Sequence, residues 1–69
     1  MEYITREEFE SLPIDYRMTL KNAIETHKAY YGEDITKLYE SLGYDIEKDY
    51  MILASGDKGT MLKPVKIKD

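Results

Sequence analysis

"YMILASGDKGTMLKPVKIK" (Tyr50–Lys68) is where the hydrophobic period of this chain changes. Before it, apolar residues recur every three or four positions. Within it they run together or alternate, as strand residues do. "YMILAS" and "TMLKPVKIK" therefore read as two strands, and "GDKG" between them has the residues a hairpin turn needs. Pro64 has no N–H for a ladder, so the last strand is expected at an edge. Helical periodicity followed by a hairpin predicts an α+β domain, with two to three N-terminal helices packed on a C-terminal antiparallel β-hairpin.

Upstream, "YDIEKD" is a polar connector with room for one helical turn. A helix is expected from about Asp34 to Leu42, because Ile35, Leu38, Tyr39 and Leu42 share a face and Gly43 can end it. A longer helix is expected from Ile14 or Asp15 to Tyr30 or Tyr31. Leu20, Ile24, His27 and Tyr31 form its stripe, Tyr16 and Ala23 flank it, and Gly32 is its C-cap. The first helix has the most explicit signal. Thr5 with Glu8 makes a capping box, Ile4 with Phe9 makes a hydrophobic staple, and Pro13 closes the element. Phe9, Leu12, Leu20, Ile24, Ile35, Leu38, Leu42, Ile52 and Val65 are the expected core, with Tyr16, Tyr39 and Tyr50 contributing.

Sixty-nine residues make one domain, residues 1–69, with little interior to spare for a deep substrate pocket. The absence of cysteine favours a reducing compartment, hence a cytoplasmic location. Charged residues follow Met1 directly, so no signal peptide is expected, and "YMILA" is too short to span a membrane.

The chain carries little that points to chemistry. One histidine and no cysteine do not make a usual zinc site. "DIEKDYMILASG", from Asp45, has the alternating acids of a calcium loop but Tyr50 and Gly56 where that loop needs glycine and glutamate. "SGDKGT" is followed by a strand, whereas a phosphate-cradling loop leads into a helix. His27 sits in an apolar stripe and is expected to be a half-buried packing residue with one hydrogen bond. No catalytic residue, metal or cofactor is assigned, and no enzymatic activity is expected.

Charge and aromatic content are more informative. The net charge is −4. Residues 1–49 hold six Lys/Arg against twelve Asp/Glu, or −6, and residues 50–69 hold four Lys against two Asp, or +2. Seven tyrosines, one phenylalanine and no tryptophan form a set suited to interfaces, since tyrosine joins apolar area to a polar tip. Tyr30 and Tyr31 point about 100° apart on a helix, so they do not share one core contact. Tyr31, Glu33, Asp34, Glu40, Tyr44, Asp45, Glu47 and Asp49 are therefore the expected partner-binding residues. They would dock on a basic or nucleic-acid-binding protein, with no direct nucleic acid and no membrane as partner. Pairing through the last strand leaves a homodimer open. The alternative is a DNA regulator of winged-helix type using Lys63, Lys66 and Lys68. Its recognition segment, "YDIEKDY", would repel phosphate.

"ITREEFESLPIDYR" (Ile4–Arg17) resembles the openings of short accessory proteins encoded by phages and integrative mobile elements of Gram-positive bacteria, and the ending "GTMLKPVKI" is similar in kind. Together these stretches cover about a third of the chain. The resemblance implies a bacterial cytoplasm and a mobile-element origin. Inhibitors of host nucleases, including anti-CRISPR and anti-restriction proteins, belong to that context.

Overall fold

A computed structural model of the chain describes residues 2–56 and 59–69, and the side chains of Ser55, Gly56 and Thr60 are not described. The centre of the expected turn, Asp57 and Lys58, lies outside the described residues. The fold is α+β. In chain order it comprises β1 (Tyr3–Thr5), α1 (Arg6–Ser11), a 3-10 turn (Ile14–Tyr16), β2 (Arg17–Thr19), α2 (Leu20–Tyr31), α3 (Thr36–Ser41), β3 (Tyr50–Gly56) and β4 (Gly59–Lys68).

The hairpin β3–β4 is the centre of a four-stranded sheet of order β1-β4-β3-β2. Tyr50 pairs with Val65 and Ile52 with Lys63 across the antiparallel ladder. β2 adds antiparallel to β3, with Arg17 opposite Ile52, and β1 adds parallel to β4, with Ile4 opposite Ile67. Side chains alternate between the two faces of a strand. Ile52 and Val65 thus meet Phe9 of α1 on one face, while Met51 meets Leu20, Ala23 and Ile24 of α2 on the other. Helices cover both faces, which makes three layers with a small cluster in each gap.

The first helix forms as its signals require. The Thr5 hydroxyl accepts the Glu8 N–H at 3.0 Å and donates to the Glu8 carboxylate at 3.1 Å, closing the cap. Ile4 packs in the same cluster as Phe9, which is the staple. Gly32 ends α2 in the left-handed region at φ 69°, and its N–H returns to the Lys28 carbonyl.

Several expectations are corrected. The second helix starts at Leu20, not at Ile14 or Asp15, because Thr19 is its N-cap and accepts the Asn22 N–H at 3.1 Å. Arg17–Thr19 before it are extended because β3 offers them a ladder, and Ile14–Tyr16 form a 3-10 turn in which Tyr16 is exposed. The third helix spans Thr36–Ser41, not Asp34–Leu42; Ile35 and Tyr39 reach the core, but Leu38 and Leu42 stay more than half exposed. The helix is only six residues long, and only the Ile35–Tyr39 side of its apolar stripe turns inward.

The last strand is internal, not an edge, since β1 pairs with its other side over Lys66–Lys68. Pro64 is tolerated there by an exchange of partners. The Lys66 N–H donates to the Glu2 carbonyl, so alternation aims the Pro64 carbonyl at β1 as well. The Tyr44 hydroxyl fills the next rung: it accepts the Glu2 N–H at 3.2 Å and donates to the Pro64 carbonyl at 3.3 Å.

Candidate functional site

The eight expected partner-binding residues divide into two groups. Tyr44 and Asp49 are corrected outright, for both are buried. Tyr44 is the rung just described and sits edge-on to Tyr39. One Asp49 carboxylate oxygen accepts both the Lys66 ammonium and the Asp45 N–H, each at 2.7 Å. Lys66 also lies over the Tyr44 ring, 5.7 Å from its centroid. This cluster ties the connector to β4 and leaves neither acid nor tyrosine for a partner. The hydrogen bond to Asp49, helped by its charge and opposed by burial, raises the Lys66 ammonium above its ordinary pKa.

The other six residues are exposed but scattered. Asp34, just before the Ile35 N-cap of α3, accepts the Thr36 N–H at 3.0 Å and the Thr36 hydroxyl at 2.6 Å. These bonds hold its carboxyl below the ordinary carboxylate value. Asp45 accepts the Glu47 N–H at 2.9 Å, and Glu47 lies 3.8 Å from the Lys21 ammonium. Glu40 is exposed on α3. Tyr31 lines a concave feature, and the Glu33 carboxylate lies 3.9 Å from His27 of its lining.

That feature is a groove of about 280 Å³ on the α2 face of the sheet. Its helical wall is Ala23, Thr26, His27, Tyr30 and Tyr31 of α2, and Ile35 and Tyr39 stand on the α3 side. Met18, Met51 and Leu62, one from each of β2, β3 and β4, complete it. Tyr30 and Tyr31 are 81% and 75% exposed, and Leu62 is 57% exposed, so three large apolar side chains of one groove face solvent. Single exposed apolar residues are ordinary, but a group around one concavity marks a contact surface.

His27 is the polar centre of this groove. Its ring lies 4.7 Å from the Tyr31 ring, tilted by 40°. Its Nε2 atom is buried and has no hydrogen-bond partner among the described residues. The Glu33 carboxylate lies 3.9 Å away, beyond hydrogen-bonding length. Among the described residues, no three histidine, aspartate or glutamate side chains gather to hold a metal ion. The lining can bind by apolar contact, aromatic faces and one imidazole nitrogen.

Sequence reasoning named Tyr31 but not Tyr30, Met18, Leu62 or His27 as residues of one groove. The adjacency of Tyr30 and Tyr31 was the available signal. The strand residues gave none, because sheet register brings them to the helix. No helix among the described residues is long and apolar enough to cross a membrane. The chain matches no protein-family model, no curated protein and no solved structure.

Proposed function

We propose that this chain is a non-enzymatic protein-binding module that occupies a surface of a basic or nucleic-acid-binding protein. The observation that carries this reading is the groove beside α2, where Tyr30, Tyr31 and Leu62 surround a cleft with no lysine or arginine in its lining. Tyrosine-rich, water-exposed concavities supply the large, partly polar contact area that protein interfaces use. The excess of acids in residues 1–49 selects basic partners. The sharpest form is a mobile-element inhibitor of anti-CRISPR or anti-restriction type, acting in a bacterial cytoplasm. The resemblance of the opening segment supplies that context.

The basic hairpin gives less support to a DNA regulator. Lys66 is committed to Asp49 at 2.7 Å and Lys63 lies 3.5 Å from Glu2. Phosphate would have to displace carboxylates from two of the three lysines. Capture from a nuclease-treated bacterial lysate tests the choice. A defined protein should be retained by the wild type and lost with Tyr30→Ala combined with Tyr31→Ala. Loss of capture on nuclease treatment, together with saturable duplex-DNA binding that disappears in Lys63→Ala/Lys68→Ala, would reverse the assignment.

A further inference from the structure

We infer that the outer edge of β4, between the turn and Pro64, pairs with the same edge of a second copy of this chain. The inference goes beyond the protein-binding reading and rests on the backbone of β4, not on the groove. The Lys66 N–H donates outward to the Glu2 carbonyl, so alternation along β4 aims the backbone groups of Pro64, Leu62 and Thr60 at that same outer edge. β1 takes this edge only over Lys66–Lys68, and the Tyr44 hydroxyl takes the Pro64 carbonyl. Toward the turn, no strand among the described residues pairs with it. Thr60 and Leu62 therefore each present an N–H and a C=O as an unpaired edge. A lysine or a proline commonly blunts such an edge. Here Pro64 lies at its far end, and the Lys63 ammonium sits 3.5 Å from the Glu2 carboxylate. Between these residues and the turn, Met61 and Leu62 are 58% and 57% exposed.

Register selects the occupant. An antiparallel copy centred on Met61 sets Leu62 opposite Thr60 of the copy, and Thr60 opposite its Leu62. Both are hydrogen-bonded pairs, so the open run satisfies all its outward groups with the same groups of the second chain, about a two-fold axis. Moving the centre to Leu62 would set Thr60 against Pro64, which has no N–H and whose carbonyl Tyr44 already holds. Moving it to Thr60 would carry Leu62 past Gly59, where the hairpin closes on Gly56. Centred on Met61, the run Gly59–Lys63 pairs with itself from end to end. Its one charged residue, Lys63, then stands opposite Gly59, so no like charges face each other. The two Met61 side chains meet across the axis on the α1 face, and the two Leu62 side chains become diagonal neighbours on the other face. Pairing of residues 59–63 alone buries less than the roughly 1,200 Å² of stable interfaces, so a dissociation constant on the order of 100 µM is expected.

The test is sedimentation equilibrium of the full chain from about 10 µM to about 1 mM, beside two-dimensional NMR of the isotope-labelled chain over the same range. Wild type should pass from monomer to dimer and no further, with shifts centred on residues 59–63. Leu62→Pro removes an N–H that points away from β3, in phase with Pro64, so the hairpin should survive and the dimer should be lost. Met61→Lys keeps every backbone group and should weaken self-association about five-fold or more, by opposing two ammonium groups across the axis. Mixing Met61→Lys with Met61→Glu should restore a dimer at least as tight as that of wild type. A monomer at every concentration, assembly beyond a dimer, or a dimer indifferent to both Leu62→Pro and Met61→Lys would each overturn the inference. So would shifts centred on Tyr30 and Tyr31, which would put the contact in the groove. Met61 does not line the groove. If the chain stays monomeric while Met61→Lys abolishes capture of a cellular protein, the edge is taken by a strand of that partner and the second-copy inference falls. Capture lost with Tyr30→Ala/Tyr31→Ala tests the protein-binding reading separately, so either reading can fail without the other.

Discussion

Removing the Asp49 carboxylate should destabilise this domain more than any other change to a charged residue. The Asp49 side chain keeps only 10% of its surface and its partner Lys66 keeps 23%. Asp49→Ala deletes two charge-assisted hydrogen bonds, from the Lys66 ammonium and the Asp45 N–H, each at 2.7 Å. Hydrogen bonds to charged groups contribute about 1.5–3 kcal/mol each. Lys66 retains some contact with water, so the lower part of that range applies to it, and the total loss should be roughly 3–5 kcal/mol. At about 0.05–0.15 kcal/mol per residue, 69 residues give a total stability of roughly 3–10 kcal/mol. Asp49→Ala should therefore be close to unfolding at 37 °C. The gentler Asp49→Asn keeps an acceptor for the Asp45 N–H and should cost about 1–2 kcal/mol. Urea denaturation followed by circular dichroism measures these losses. A double-mutant cycle with Lys66→Met isolates the pair, with an expected coupling of about 1–3 kcal/mol. A coupling below about 0.5 kcal/mol would place the pair among ordinary surface ion pairs and refute the reasoning.

The same pair predicts a pH dependence. Lys66 is raised above its ordinary pKa of 10.5 in the folded state, so its contribution is complete below pH 10.5 and is lost as pH rises through the folded value; wild type and Asp49→Asn should converge in stability at the alkaline end, and parallel curves would contradict this. Tyr44→Phe removes the hydroxyl between the Glu2 N–H and the Pro64 carbonyl and should cost about 1–3 kcal/mol in thermal melts, with faster amide exchange at Glu2. Leu20→Ala, at a fully buried position, should cost about 2–5 kcal/mol, whereas Leu38→Ala, more than half exposed, should stay within about 1 kcal/mol of wild type. Equal losses at the two leucines would mean that α3 packs differently from the arrangement seen here.

The legible parts of this protein are those whose cause is local. Thr5 with Glu8 and Ile4 with Phe9 fix the first helix within a span of six residues, and the structure repeats both contacts. The hairpin strands were legible because their period and turn residues lie within twenty positions. β1 and β2 were not, since three residues are too few to show a period, and they are extended only because β4 and β3 offer them ladders. Tyr44 and Asp49 were misplaced for a related reason. Both look like solvent-facing polar residues until Glu2, Pro64 and Lys66 come to meet them.

From the sequence alone follow the class of the fold, the caps of its first helix, the hairpin, and an acidic, tyrosine-rich character that suits a binding surface. Tertiary structure alone decides that Pro64 sits in an internal strand, that Asp49 is a buried anchor, and that Met18, His27, Tyr30 and Leu62 line one groove. The physical reason is range. Capping, periodicity and turn chemistry act over a few residues and are written side by side in the chain. A sheet's register sets which distant residues meet, and that depends on the summed packing of both faces.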